Sequence, residues 1–187
     1  MLRKLFLYLA LTTLTQCSKC KQDDPAPLAQ LPPATQTGAN TFGCLVNGQP
    51  YMPKGNTGTS NFSVTYDPTF RGGTLNISSY RIKDGRTTFI TVESIQLTSS
   101  GIYSFTRPNG NCIALYSDVS NDPMQFPPPS ICGIIPSDQD VAHRSGQLKL
   151  TRFDTQARIV SGTFDFKLLQ AGCDTLKITQ GRFDARF

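Results

Sequence analysis

The sequence is poor in charge and in the side chains that most often carry enzymatic chemistry. Charged residues make up 17% of its 187 positions, tryptophan is absent, and there is one histidine and one glutamate. His143 lies in a polar turn before a predicted strand, and no Gly-x-Ser-x-Gly motif supplies a nucleophile for a Ser-His-Asp hydrolase. Because Glu93 has no second glutamate, paired-carboxylate glycosidase chemistry would have to rely on aspartate. We therefore predict that the protein is not an enzyme.

Basic residues are scattered singly along the chain. The formal net charge is +5, and removal of an amino-terminal segment that contains Arg3 and Lys4 would leave about +3. A protein that follows nucleic-acid phosphates needs a clustered row of lysine and arginine, which this sequence lacks. We predict no nucleic-acid partner.

The sequence also lacks a convincing metal-binding motif. No Cys-x-x-Cys pair occurs beyond the amino terminus, and His143 is far in sequence from each cysteine, which disfavours zinc. Asp118, Asp122, Asp138 and Asp140 lie in one long loop and could surround calcium, but the glycine and terminal glutamate of an EF-hand are missing. We predict a solvated turn there, and neither a metal nor a cofactor.

The amino terminus carries a short secretion signal. Arg3 and Lys4 precede an apolar run of about ten residues, half the length that a membrane-spanning helix needs. No Ala-x-Ala cleavage site follows this run. The pattern predicts a signal peptide at residues 1–16.

A cysteine stands where the apolar run ends. Leu14-Thr15-Gln16-Cys17 resembles the lipobox of bacterial lipoproteins, in which the cysteine thiol receives a lipid and a peptidase cuts just before it. Gln16 departs from the small residue that this family favours, and Cys20, the rival acceptor, follows a lysine. The resemblance predicts lipidation of Cys17, with palmitate among its chains, and membrane attachment through that lipid. The alternative is a secreted protein without lipid.

The residues after Cys17 bear on its location. Ser18 stands where an aspartate would resemble an inner-membrane retention signal. Lys21-Gln22-Asp23-Asp24 resembles the short acidic export signal of Bacteroidota surface lipoproteins, although an ordinary charged tether would look the same. We expect a lipid anchor in the outer membrane, with the protein facing the exterior of the cell.

Residues 17–39 have the composition of a spacer. Pro25, Pro27, Pro32 and Pro33 lie among polar and small residues, and no aromatic residue occurs. Such a segment cannot form a core and favours extended conformations. It predicts a disordered, semi-stiff tether that could extend up to about 70 Å.

Residues 40–187 predict an all-β domain. Short runs of β-branched and aromatic residues are interrupted every eight to twelve positions by turn formers, which is typical of an antiparallel β-sandwich or barrel. Asn47-Gly48 predicts a hairpin turn. About ten strands follow: Phe42–Val46, one from Tyr51, Phe62–Tyr66, Thr74–Ile82, Thr87–Ser94, Gly101–Phe105, Cys112–Tyr116, Leu148–Phe153, Ile159–Leu168 and Leu176–Phe187. Alternation is clearest where Phe164 and Phe166 flank Asp165.

One long irregular stretch interrupts this pattern. Ser117–Gln139 contains five prolines and predicts a loop, and long loops often carry function. The tyrosines of the domain could stack on sugars or proteins, although strands are rich in tyrosine in any case. They are Tyr51, Tyr66, Tyr80, Tyr103 and Tyr116.

Four segments together are similar to those of a family of uncharacterised Bacteroidota lipoproteins. They are Thr41–Gly48, Leu148–Asp154, Val160–Phe166 and Ile178–Asp184. The resemblance covers the anchor region and both ends of the domain. It implies a β-sheet lipoprotein domain of unknown function, with no catalytic residue to carry over.

Four cysteines lie in the domain, and export to an oxidising compartment predicts disulfides. Of three possible pairings we favour Cys112 with Cys132, which would close the proline-rich loop, and Cys44 with Cys173, which would join the first strand to the start of the last.

Asp174-Thr175-Leu176 resembles a Bacteroidota O-glycosylation motif at Thr175, although an ordinary turn has the same residues. Taken together, the sequence favours a non-enzymatic binding module with a glycan or protein ligand. A structural or envelope-accessory lipoprotein is the second hypothesis, and a hydrolase is the third.

Overall fold

The computed structural model describes residues 25–106, 110–121, 132, 134–135 and 141–187, which form two antiparallel sheets packed face to face. The predicted all-β fold is confirmed, and it is a sandwich and not a closed barrel. No α-helix occurs among these residues. The eleven strands are β1 (Thr41–Val46), β2 (Gln49–Tyr51), β3 (Phe62–Asp67), β4 (Thr74–Lys83), β5 (Arg86–Ser94), β6 (Gly101–Ser104), β7 (Cys112–Ser120), β8 (Ile134–Ile135), β9 (His143–Asp154), β10 (Ile159–Leu169) and β11 (Leu176–Arg186).

Each sheet has a simple strand order. The six-stranded sheet runs β2-β1-β11-β10-β9-β6, and the five-stranded sheet runs β3-β4-β5-β7-β8. Strands β9, β10 and β11 form a continuous meander, while β1 returns from the amino-terminal end of the domain to pair with β11. The first and last strands of the domain are therefore neighbours.

The predicted alternation along β10 is confirmed. Phe164 and Phe166 are buried, while Asp165 and Lys167 are exposed. Successive side chains of a strand point to opposite faces, so only one face of the sheet can enter the core. The inward aromatic rings contact each other, with the Phe42 and Phe164 centroids 5.5 Å apart. Burial of these faces against each other is the main source of stability of the sandwich.

The hairpin predicted at Asn47-Gly48 is confirmed. Val46 pairs with Gln49, so the loop contains two residues, and both have positive φ (48° and 84°). Such a backbone matches the right-handed twist of the two strands, and asparagine and glycine adopt it most readily. The hairpin brings β2 to the edge of the six-stranded sheet.

The prediction of a disordered tether up to residue 39 is wrong for residues 25–39, which we call the strap. The strap contains a short 3-10 turn at Pro27–Gln30 and then the buried side chain of Leu31. A Cβ added at Gly43 would lie 2.6 Å from Cδ of Pro32, so glycine at that position of β1 allows the strap to approach closely. Ordered structure therefore precedes β1. The rest of the predicted tether lies outside the described residues.

The end of the strap is held by Asp184 of β11. The Asp184 carboxylate accepts hydrogen bonds from the hydroxyl of Thr35 (2.6 Å) and from the backbone N–H groups of Thr37 (2.9 Å), Gly38 (2.8 Å) and Ala39 (3.1 Å). These contacts satisfy backbone donors that a loop would otherwise expose to solvent. Sequence composition predicted a spacer because it does not register a partner some 145 residues away.

The long loop is shorter than predicted. Ser117 to Ser120 continue β7, and Ile134–Ile135 pair with Tyr116 and Ser117 as β8. Strand β9 likewise begins at His143, five residues before the predicted start. Polar residues on the inward face of these extensions, Asp118 on β7 and the buried Arg144 on β9, obscured them in the sequence. Residues 122–131, 133 and 136–140 lie outside the described part of the chain.

Candidate functional site

A cleft opens at one end of the sandwich, and we call it the end cleft. The β1–β2 hairpin, the β4–β5 hairpin and the connection between β10 and β11 meet there. Two adjoining hollows make up the cleft, and both are bordered by Arg86 of β5 and Asp118 of β7. The strap hollow has a volume of about 640 Å³, and Pro25 and Pro27 at the beginning of the strap line it. The disulfide hollow, about 560 Å³, lies against Cys173.

An ion pair separates the two hollows. Nε of Arg86 lies 3.1 Å from Oδ1 of Asp118, and Nη2 of Arg86 donates to the Asp118 backbone carbonyl at 2.8 Å. The hydroxyl of Thr88 donates to the same carboxylate at 3.3 Å. These contacts fix the orientation of both charged groups, which are half-exposed and therefore contribute little stability as a pair.

Arg81 lies deeper, on the inward face of β4, two residues beyond Ser79. Its guanidinium carbon is 4.8 Å from the ring centroid of Tyr51, and its Nη1 donates to the Pro50 carbonyl at 2.9 Å. Its Nε is buried and has no acceptor. Within the described part of the chain, no carboxylate lies within ion-pair distance of Arg81.

Tyr51 supports Arg81 from the core. The Tyr51 side chain is fully buried, and its hydroxyl donates to the Thr88 carbonyl at 3.3 Å and lies 3.2 Å from Oγ of Ser79. Burial raises the pKa of the Tyr51 phenol, and the hydrogen bond with Ser79 only partly opposes this shift. The ring is therefore neutral at physiological pH and presents its electron-rich face to the guanidinium.

The disulfide hollow is lined by less charged groups. Tyr116, Ile135 and Leu168 form its inner wall, and burial raises the pKa of Tyr116 to about 12. Asn47 at its rim is held by its side-chain oxygen, which accepts from the backbone N–H of Lys177 at 2.8 Å. The hollow therefore combines an apolar wall with polar edges.

Cys132 and Cys173 form a disulfide at this end of the sandwich. The favoured pairing of Cys112 with Cys132 and of Cys44 with Cys173 is therefore wrong. Cys132 lies two residues before β8, which pairs at Tyr116, and Cys112 is four residues away along β7, or about 13 Å. Cys112 therefore lies too far along the sheet to meet Cys132.

Cys44 is also remote from Cys173. Its neighbour Leu45 pairs with Thr179, six residues from Cys173, or about 20 Å along the chain. Cys44 and Cys112 are both buried free thiols. Burial raises the pKa of Cys44 and raises that of Cys112 to about 11, so both thiols are protonated at neutral pH.

The tyrosines do not provide an exposed aromatic platform. Tyr51, Tyr80 and Tyr116 are buried. Tyr66 and Tyr103 are partly buried and donate their hydroxyls to the backbone carbonyls of Leu97 and Ser99. The interpretation of tyrosine as ordinary strand composition agrees better with these positions.

The remaining candidates are dispersed. His143 is exposed at the start of β9, and Glu93 on β5 forms an ion pair of 3.6 Å with Arg71. Asp118 contributes to the end cleft, whereas Asp122, Asp138 and Asp140 lie outside the described residues. Within the ranges that the structure describes, no group of three or more His, Cys, Asp or Glu side chains is arranged to hold a metal ion.

One of the two candidate modification sites lies within the described residues. Cys17 lies outside the described residues. Thr175 is exposed in the connection just before β11. None of the helical segments that the structure describes has the length and apolarity to cross a membrane.

In three comparisons, no family model, no curated protein and no solved structure matched the chain. The end cleft must therefore be interpreted from its own residues. Sequence reasoning missed Arg81 because a single arginine among scattered basic residues carries no signal. Its position on the alternating face shared with Ile77 and Ser79, which is buried in the fold, was the only available indication.

Proposed function

We propose that this protein is a lipid-anchored lipoprotein of the bacterial outer membrane that binds a glycan or protein ligand without transforming it. The lipobox-like segment ending at Cys17 supports the anchor, and the acidic segment after it supports exposure on the cell surface. The end cleft supports binding. It is concave, and it lies where β7 enters the proline-rich stretch and Cys132 is tied to Cys173.

The chemistry of the end cleft favours binding over catalysis. Its most central carboxylate, Asp118, is engaged by Arg86 and Thr88. Burial raises the pKa values of Tyr51 and Tyr116, so neither phenol is poised to transfer a proton near neutral pH. Fixed charges and oriented hydrogen-bond donors suit recognition of a ligand.

An accessory protein that docks permanently on an envelope partner would require a broad apolar surface. Among the described residues, the most exposed large apolar side chains are Ile102 (66%), Phe70 (56%) and Leu28 (48%). They lie on β6, in the connection between β3 and β4, and in the strap, three separate elements. This distribution favours the binding module.

The anchor is tested by replacing its acceptor. We expect that the Cys17→Ala variant remains unprocessed and leaves the membrane fraction, and that globomycin blocks processing of the wild-type chain. The Cys20→Ala variant is the matched control and should behave as wild type. Unchanged membrane association of Cys17→Ala would refute lipidation at this position.

Surface exposure and binding need separate measurements. Protease treatment of intact cells should degrade the protein if it faces the exterior and leave it intact if it faces the periplasm. A glycan array and a pull-down with the full-length protein then test binding. Absence of any ligand on the array and in the pull-down would contradict the proposed function.

A further inference from the structure

We propose that the strap hollow binds an acidic saccharide, with Arg81 recognising a carboxylate or sulfate group of the sugar. This inference rests on the proposed function, since it assigns a ligand class to one part of the end cleft. It is carried by the position and partners of Arg81, and by the polar groups that surround it.

The strap hollow is lined by one more basic side chain than acidic side chains. Arg81, Lys83 and Arg86 border it, and so do Asp84 and Asp118. Arg86 is paired with Asp118 at 3.1 Å, and Lys83 lies 3.9 Å from Asp84 on the exposed hairpin. Arg81 has no acidic partner among the described residues, so the hollow carries an unneutralised positive charge at its inner end.

The guanidinium group of Arg81 is held in a fixed orientation that suits binding of an anion. Its contact with the Tyr51 ring and its bond to the Pro50 carbonyl fix the plane of the guanidinium before a ligand arrives. Nη2 donates to no protein acceptor among the described residues. Since a planar guanidinium forms strong paired hydrogen bonds with carboxylates and sulfates, a fixed one binds them with little loss of entropy.

The surroundings of Arg81 suit a sugar. Gln30 of the strap and Gln49 of β2 line the hollow beside Thr88. Gln30 donates to the Pro25 carbonyl at 2.8 Å and Thr88 donates to Asp118 at 3.3 Å, which leaves their side-chain oxygens and the Gln49 amide for sugar hydroxyls. The apolar part of the lining consists mainly of proline rings, those of Pro25 and Pro27 among them. A peptide partner would normally insert a large apolar or aromatic anchor into an apolar pocket, and this lining offers none.

The inference is tested by binding of defined oligosaccharides to the full-length protein in detergent, measured by isothermal titration calorimetry. The probes are an oligogalacturonate, which carries carboxylates, a heparin-derived oligosaccharide, which carries sulfates, a neutral dextran oligomer and a poly-glutamate peptide. We expect one or both acidic saccharides to bind, with an affinity that falls as salt rises. The two acidic probes distinguish the carboxylate from the sulfate.

Variants locate the site. Arg81→Gln should weaken binding of the acidic saccharide at least about tenfold, and Lys83→Gln at the exposed rim by about twofold to fivefold. Arg158→Gln is the matched control, because Arg158 is exposed at the opposite end of β10, about 35 Å along the strand from the cleft. Thermal unfolding of each variant, together with Arg81→Lys, separates loss of binding from loss of the fold.

The outcomes separate the two proposals. If the acidic saccharide binds equally well to wild type and to folded Arg81→Gln, the assignment to Arg81 is wrong and the binding function remains. Equal binding of dextran, or equal binding of poly-glutamate, would likewise overturn the acidic saccharide as the ligand class. If no saccharide and no protein binds the wild-type chain, the proposed function fails together with the inference.

Discussion

Ser161 on β10 donates a hydrogen bond of 2.6 Å to Oδ1 of Asp184, its cross-strand partner on β11. Both residues are fully buried, and among the described residues no lysine or arginine lies within ion-pair distance of the carboxylate. The strap supplies the remaining donors, from Thr35 to Ala39. A buried negative charge that is stabilised by hydrogen bonds alone thus joins two central strands to the amino-terminal segment.

Replacing Asp184 should destabilise the domain. An asparagine at this position keeps one oxygen but turns an amide donor toward donors of the strap. We expect Asp184→Asn to lower the free energy of unfolding by about 2 to 4 kcal/mol, measured by urea denaturation. Asp165→Asn, on the exposed face of β10, is the matched control and should change it by less than about 0.5 kcal/mol. Equal stability of the two variants would contradict the structural role of Asp184.

The Asp184 carboxylate should also make the free energy of unfolding depend on pH. Burial alone would raise the pKa of Asp184, but the hydrogen bonds from Ser161, Thr35, Thr37 and Ala39 outweigh it and hold the pKa well below its ordinary value. The unfolded carboxyl, with a pKa near 3.9, therefore takes up a proton at a higher pH than the folded one. The ionised Asp184 carboxylate therefore contributes its full stabilisation of the folded state above the pKa of the unfolded carboxyl, and this contribution is lost as the pH falls through the pKa of the folded carboxyl.

Urea denaturation between pH 7 and pH 2 measures this dependence. We expect a flat profile above about pH 5 and a decline below about pH 4. Asp67 and Asp154 also have lowered pKa values, from hydrogen bonds with Thr69 and Ala157, so some decline persists without Asp184. Below about pH 4, the free energy of unfolding should fall less steeply with pH in the Asp184→Asn variant than in the wild type. If both fall equally steeply, groups other than Asp184 cause the pH dependence.

The disulfide should stabilise the domain through the unfolded state. Its cysteines are 41 residues apart, and a cross-link of this length restricts the unfolded chain by up to about 4 kcal/mol in the chain-entropy model. Cys132→Ser combined with Cys173→Ser should therefore lower the denaturation midpoint. The matched control is Cys112→Ser, which removes a buried thiol without opening a loop. A midpoint unchanged by the double substitution would show that the bridge does not restrain unfolding.

Two glycines should differ strongly in their tolerance of alanine. At Gly146, φ is 128°, and an added Cβ would lie 2.1 Å from the carbonyl oxygen of Asp165, on the strand that pairs with it. Gly48, with φ of 84°, has open space around the same added atom. We expect Gly146→Ala to cost more than about 3 kcal/mol or to prevent folding, and Gly48→Ala to cost about 1 kcal/mol. Comparable melting temperatures would contradict the close approach of β9 and β10.

Local sequence patterns predicted the strands well, because the alternation of apolar and polar residues in a strand is visible at neighbouring positions of the sequence. Leu148 and Leu150 are buried while Lys149 is exposed, as their spacing indicates. The Asn47-Gly48 turn followed from backbone preference alone. These features depend on contacts within a strand or a hairpin, which a single sequence displays directly.

Features that depend on contacts between residues far apart in the sequence were not predicted. The strap is rich in proline and polar residues, and its order depends on distant partners, above all the carboxylate of Asp184. The pairing of Cys132 with Cys173 required knowing where β8 meets the connection before β11. Arg81 became a candidate only when the fold placed it on Tyr51 without a carboxylate partner.

If Cys17 carries the proposed lipid, the order of the strap also limits how far the domain can stand from the bilayer. With a lipid on Cys17 and Pro25 at the rim of the end cleft, eight residues connect the lipid to that rim, and they reach at most about 28 Å. A spacer of the length first expected would have allowed about 70 Å. Under that proposal the rim is confined to a shallow zone above the lipid headgroups. Such a zone admits flexible polymer chains, or molecules rooted in the same membrane, more readily than it admits bulky particles.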